Sequence, residues 1–224
     1  DVLFYMWHNT RESFVTEQKF YLEQARIRLL SQFENIDDEA TKVADEYYEE
    51  RGKNFDPDRD DEGAIVEDAY HAGGEHYLLL TSMQERTRLS VVAGMYYEWD
   101  KKLREWLVKE ARHFGGRSEV AAILWRKPFN EIIQLLDGLG WNISGQSYFP
   151  KLEACDLVVN VHKHGEGNSL NTLRQRYPEY LPDPLGKYGF GNYDPATAEH
   201  GYMKVTEEQI QEFSDTFVAF WQSI

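Results

Sequence analysis

The segment LSVVAGMYYEWDKKLREW, residues 89–106, decides the fold class. Its apolar side chains recur at intervals of three and four residues, which is the period of one face of an α-helix. The residues of this stripe are Leu89, Val92, Tyr96, Trp99, Leu103 and Trp106. A stripe of this kind is more typical of a packing face than of a cofactor site. The spacing therefore predicts a long helix over 81–113 whose aromatic face enters a core.

The helical period also extends to both sides of this segment, and no stretch alternates as a β-strand does. The pair Gly73-Gly74 is expected to kink or split the helix that contains it, because glycine weakens a helix interior. Beyond 81–113, helices are predicted over 11–36, 38–51, 64–80, 118–125 and 129–138. We therefore expect an all-α protein.

Several capping signals organise the C-terminal part of the chain. Pro150 is well placed to open a helix, and Ser169 can cap a short helix that ends near Tyr177-Pro178. Residues 178–205 are rich in proline, glycine and tyrosine, and we expect an irregular segment that covers the core. Thr206, with Glu208 and Gln209 nearby, starts the last predicted helix. The apolar face of that helix is Ile210, Phe213, Phe217, Phe220 and Trp221.

Composition limits the class of protein. A length of 224 residues with 14% aromatic residues predicts one well-packed domain over 1–224 rather than a disordered chain. The single cysteine, Cys155, excludes an intrachain disulfide and favours a reducing compartment. No apolar run reaches the length of a membrane span, and no secretory signal pattern opens the sequence. These features predict a cytoplasmic protein that does not contact a membrane.

The formal net charge of −15 argues against nonspecific binding of nucleic acid, because an acidic surface repels phosphate. Part of this charge lies in a cluster that resembles a calcium loop at four of its ligand positions. A glycine belongs at the sixth position of such a loop, and Asp61 stands there instead, so a flexible acidic loop is the better interpretation. The four matching residues are Asp56, Asp58, Asp60 and Glu67.

A second polar stretch, residues 156–167 with the sequence DLVVNVHKHGEG, places an acid, an amide, an amine and an imidazole on one helical face. The aligned residues are Asp156, Asn160, Lys163 and His164. Two interpretations stay open: a polar site, or a solvated helix end whose basic residues suit the helix dipole. His162 and His164 point to nearly opposite sides of a helix, so we expect no bound metal, and no phosphate loop or other cofactor motif is present.

The residue types at the end of this helix suit metal-independent cleavage of RNA. An imidazole, that of His164, can transfer protons near neutral pH. A cation such as Lys163 can stabilise the charge of the phosphorane, and an amide such as Asn160 can orient the phosphate. Asp156 and His162 would then be additional binding residues.

The run from Asn160 to His164, followed by Gly165, resembles the Arg-Asn-x-x-x-His signature of HEPN domains, which are small all-α domains of bacterial toxin–antitoxin and phage-defence systems. The helix of residues 88–103 looks like the early bundle helix of that family, and the helix from Pro150 looks like the one that bears the motif. The resemblance covers residues 80–175. Residues 1–79 would be an N-terminal helical extension, and 178–224 an irregular segment with a terminal helix.

The resemblance implies a helical bundle that forms a homodimer with a composite site, and in many members a ribonuclease in which the motif arginine and histidine act. Asn160 and His164 match the motif, whereas Val159 occupies the arginine position. Three hypotheses follow. The first is a ribonuclease or toxin in which Lys163 replaces the arginine. The second is a non-catalytic HEPN-like protein that binds a nucleotide or a partner protein, such as an antitoxin. The third is a helical protein with a coincidental motif.

Overall fold

The structure is a computed structural model that describes residues 5–113, 118–184 and 193–224. These residues contain α-helices and short 3-10 turns but no β-strand, so the expected all-α class is confirmed. None of the helices in these ranges is long and apolar enough to cross a membrane. The helices are α1 (His8–Arg28), α2 (Ile36–Gly52), α3 (Glu62–His113), α4 (Ser118–Arg126), α5 (Phe129–Gly138), α6 (Phe149–His164), α7 (Asn168–Arg176) and α8 (Glu207–Ser223).

The chain divides into two compact units. The small unit is Ala25–Thr87, and the large unit combines Asp1–Gln24 with Arg88–Ile224. The boundaries between the units fall inside the helices α1 and α3. The sequence does not predict them, because unit boundaries are expected at loops.

The core of the large unit is aromatic. The predicted stripe of α3 is buried, and Trp99 lies at its centre with no exposed surface. The ring centroid of Trp99 is 5.4 Å from that of Phe217 and 5.0 Å from that of Phe220, both on α8. Because edge and offset contacts between rings add to the burial of their area, these contacts anchor α8 against α3. The predicted apolar face of α8 is confirmed.

Capping residues begin the helices of the large unit. The helix α8 starts after Thr206, as predicted: the Thr206 side chain accepts a hydrogen bond from the Gln209 amide, and the Gln209 side chain accepts one from the Thr206 amide. Pro150 lies in the first turn of α6, also as predicted. The prediction for Ser169 is wrong, because Gly167, whose φ of 153° favours glycine, occupies the cap position, and Ser169 lies inside the helix, which begins at Asn168.

The predicted break at Gly73-Gly74 is wrong as well, because α3 runs through both glycines. A Cβ atom on Gly73 would lie 2.9 Å from the Ala40 carbonyl oxygen and 3.0 Å from the Ala44 Cβ atom of α2. The missing side chain therefore allows α2 and α3 to approach closely. The contact offsets the cost of about 1 kcal/mol that glycine imposes in a helix interior.

The remaining irregular parts differ from the sequence prediction in detail. The predicted helix over 11–36 ends at Arg28, and a short 3-10 helix, Leu30–Phe33, follows it. In the segment 178–205, the described residues form short 3-10 turns, and residues 185–192 lie outside the described ranges. Tyr180 from this segment is fully buried and stacks on Phe213, with ring centroids 5.5 Å apart. This tyrosine covers the core, as the sequence predicts.

Candidate functional site

The structure separates the five predicted site residues of α6 into two groups. Asp156 and Asn160 line a cleft in the large unit, whereas His162, Lys163 and His164 are exposed on the last turn and do not line it. The helix ends at Gly165, whose φ of 71° favours glycine and whose amide donates to the Val161 carbonyl at 2.8 Å. Helical spacing therefore predicts that these side chains share one side of α6, but it does not predict that they line the same cleft.

Neighbouring positions of α6 face the core. Val159, which stands at the arginine position of the HEPN signature, is buried, and so is Cys155. A side chain at position 159 therefore points into the hydrophobic interior. An arginine there would require a different packing of α6, so valine suits this position.

The cleft has a volume of about 1010 Å³, which lies at the upper end of the range for small-molecule sites. Its walls come from α3, α5, α6, α7 and the segments that join them. Most of the lining side chains are polar or charged, and Phe129 and Phe149 supply aromatic surface. The uncharged polar side chains are Asn130, Gln134, Ser144, Asn160, Asn168, Ser169 and Thr172.

The cleft is lined by a carboxyl group that is paired with a buried tyrosine. The Tyr96 hydroxyl of α3 donates to Asp156 Oδ1 of α6 at 2.5 Å. Burial raises the pKa of Asp156 to about 6, although the hydrogen bond from Tyr96 partly opposes this rise. Burial and the neighbouring carboxylate also raise the pKa of Tyr96 well above its ordinary value. Asp156 therefore changes its protonation state close to neutral pH.

Asn160 lies one turn beyond Asp156 and lines the same cleft. Its amide donates to the Asp156 carbonyl oxygen at 2.9 Å, which fixes the side chain along the helix. The Asn160 side chain also interacts with the Asp156 carboxylate and lowers its pKa. Among the described residues, Tyr96 and Asn160 are the side chains that hydrogen-bond to this carboxylate.

An ion-paired cluster forms one wall of the cleft. Arg176 of α7 binds Glu153 of α6 through two bonds, from Nη1 to Oε1 at 2.7 Å and from Nη2 to Oε2 at 2.6 Å. The Tyr177 hydroxyl donates to the same carboxylate at 2.5 Å, and burial together with Glu153 raises the pKa of Tyr177 to about 12. A bidentate pair of this kind holds α7 against α6 and neutralises both charges.

Arg104 of α3 also lines the cleft. This side chain is buried, and its Nε donates to Asp100 at 2.7 Å. Its Nη1 donates to the carbonyl oxygens of Leu124 and Lys127 at 2.6 and 2.8 Å. These bonds satisfy the end of α4 and fix the turn that leads into α5. Arg104 therefore shapes the cleft more than it offers a free cation to it.

Another polar cluster fixes the chain beyond α6. Glu166 accepts from His200 Nδ1 at 3.2 Å and from Arg174 Nη2 at 3.5 Å, and Arg174 Nε donates to the Ala198 carbonyl at 2.8 Å. His164 has no part in these bonds. In the described ranges, no group of three or more His, Cys, Asp or Glu side chains is arranged to hold a metal ion.

Sequence reasoning identified two cleft residues, Asp156 and Asn160, and missed the others. Tyr96 belongs to the predicted packing stripe, and a buried tyrosine usually needs a hydrogen-bond partner, which is the signal for its pairing with Asp156. Arg104 and Arg176 lie on other helices, and no local pattern connects them with α6.

Comparisons with protein-family models, with curated proteins and with solved structures give no match to this chain.

Proposed function

We propose that the chain is a non-catalytic, HEPN-like helical protein whose cleft binds a ligand of the nucleotide class through its nucleoside part. The observation that carries this proposal is the Tyr96–Asp156 pair inside a large polar cleft. A carboxyl group in such a place, with a pKa shifted toward neutrality, is a common mark of a functional site.

The side chains of the cleft suit an uncharged ligand with many hydrogen-bonding groups. A carboxylate such as Asp156 accepts N–H groups of a base or O–H groups of a ribose, and amides such as Asn130 and Gln134 both donate and accept. Phe149 is half-buried at the wall and offers a ring on which a base can stack.

Charge favours the nucleoside part over the phosphates. Arg176 is paired with Glu153, and Arg104 with Asp100, while Asp156 adds a negative charge to the cleft. A phosphate group would therefore meet cations that are already neutralised, in a chain with a net charge of −15. The phosphates of a bound nucleotide would extend out of the cleft.

Isothermal titration of the protein with the four ribonucleosides and their 5′-monophosphates tests the proposal. We expect at least one of the four nucleosides to bind, and its 5′-monophosphate to bind with similar affinity. Asp156→Asn should weaken this binding tenfold or more, because one acceptor is replaced by a donor. The matched control, Lys163→Ala with His164→Ala, changes the same helix outside the cleft and should bind as the unmodified protein does. If no compound binds, or if only the control variant loses binding, the proposal is wrong.

One observation favours the ribonuclease as a second candidate. His164 and Lys163 are exposed on the last turn of α6, where an RNA strand could reach them, and a homodimer would bring two such turns together. In this candidate Asn160, Lys163 and His164 act on the phosphodiester as the sequence suggests. Incubation with diverse RNAs in the presence of a metal chelator tests it. Cleavage that His164→Ala abolishes without lowering the melting temperature would favour this candidate over the first.

A further inference from the structure

The small unit exposes more large apolar side chains than it buries. The large apolar side chains that this unit buries are Leu30, Phe33 and Ile36. Contiguous exposed apolar surface is uncommon on proteins that act alone and marks interaction sites. The large apolar residues that α3 exposes in this unit are Val66, Tyr70, Tyr77, Leu78, Leu79 and Met83.

Four of these residues lie on one side of α3. Val66, Tyr70, Tyr77 and Leu78 have exposed fractions of 51%, 78%, 37% and 66%. At 3.6 residues per turn they fall within an arc of about 120°, along about 18 Å of helix. We name this surface the exposed α3 face. Leu79 and Met83 lie on the other flank of the helix.

Gly74 lies in the middle of the exposed α3 face, and the packing of the chain does not account for it. A Cβ atom on Gly74 would have no neighbour within 4 Å, in contrast to the close contact of Gly73 with α2. An interior glycine costs about 1 kcal/mol of helix stability. Its effect here is a flat gap between Tyr70 and Tyr77 that lets another backbone approach closely.

The charge of the small unit selects the partner. Residues 25–87 contain 17 Asp and Glu against 7 Lys and Arg, which gives −10 of the total of −15. Glu67 falls within the same arc of α3 as the apolar residues. A second copy of this chain would bring a like charge against the face, whereas a basic partner would be attracted to it.

From these observations we propose that the exposed α3 face docks a basic amphipathic helix of another protein. The apolar stripe of the partner would lie along Val66, Tyr70 and Leu78, with its backbone closest at Gly74. Its Lys and Arg side chains would meet Glu67 and the negative charge of the small unit around the face. This helix-on-helix mode needs only the i, i+4 and i+7 spacing that the face presents. The proposal does not depend on the function of the cleft in the large unit.

Fluorescence anisotropy with a labelled 18-residue peptide of Leu and Lys, patterned as an amphipathic helix, tests this proposal on the whole chain. The double change Tyr70→Ser with Leu78→Ser should weaken peptide binding at least tenfold. The control, Leu79→Ser with Met83→Ser, removes similar apolar area from the other flank of the same helix and should bind as the unmodified chain does. A peptide with Glu in place of Lys should not bind.

A second variant separates docking from folding. Gly74→Gln fills the gap with a good helix former, so the chain should fold at least as stably while peptide binding falls several-fold. Equal binding by all variants would mean nonspecific charge attraction and would overturn the proposal, as would the absence of binding. A dimer in sedimentation that Tyr70→Ser with Leu78→Ser dissolves would identify a second copy as the occupant and would also overturn it.

Discussion

Asp156 should lower the stability of the protein at neutral pH, and Asp156→Asn should restore it. The pKa of this carboxyl group rises from 3.8 to about 6 on folding, so between these values the folded state binds more protons than the unfolded state. Stability that is fully present below pH 3.8 is therefore lost as the pH rises through 6. Because one pH unit corresponds to about 1.4 kcal/mol, the loss is about 3 kcal/mol, or about 2 kcal/mol when solvent in the cleft screens the charge.

Urea denaturation at pH 4.5 and at pH 7.5 measures this effect. Asparagine keeps an acceptor for the Tyr96 hydroxyl and carries no charge, so Asp156→Asn should be more stable than the unmodified protein by about 2–3 kcal/mol at pH 7.5. At pH 4.5, where most of the loss has not yet occurred, the difference should fall to about 1 kcal/mol. A difference that does not change with pH, or a variant that is less stable at pH 7.5, would refute the assignment of a buried, destabilising carboxylate. Confirmation would mean that the chain keeps an acid at a cost in stability, as functional sites do.

Further predictions concern the packing of the helices. Gly73→Ala should lower the free energy of unfolding by about 1–3 kcal/mol, because the added Cβ would overlap the Ala40 carbonyl. Gly74→Ala should raise the free energy of unfolding by about 0.5–1 kcal/mol, because its Cβ has no neighbour within 4 Å. Urea denaturation compares the two variants, and equal effects would contradict the close contact at Gly73. Arg104→Met should cost about 3–5 kcal/mol, since it leaves Asp100 and two carbonyl groups without their partner; a melting temperature unchanged by this substitution would contradict the role of Arg104. Thr206→Ala should cost about 1 kcal/mol through loss of the α8 cap, with Thr206→Ser as the control that keeps it.

The sequence predicted those parts of the fold that depend on local periodicity. The α3 stripe around Trp99 and the cap at Thr206 are each contained in one segment, and both are confirmed. The sequence does not predict that α3 continues through Gly73, because the glycine is explained by a close contact with Ala40, which lies 33 positions earlier on α2. Local propensity registers the cost of the glycine but not the contact that offsets it.

Local spacing also limits how much of the site the sequence predicts. Helical spacing identified Asp156 and Asn160 on one side of α6, and both line the cleft. It also grouped them with His164, because spacing gives the direction of a side chain and not the extent of the neighbouring helices. The Tyr96 hydroxyl comes from α3, 60 positions away from Asp156, and only the packing of α3 against α6 reveals that pair.

A crystal structure of the protein soaked with the nucleoside that binds most tightly in titration would test the central claim most directly. The account predicts electron density for the base in the cleft, with one of its N–H groups within hydrogen-bond distance of Oδ2 of Asp156 and its plane near Phe149. Density beside His164 on the last turn of α6, with an empty cleft at a saturating concentration of the nucleoside, would contradict it.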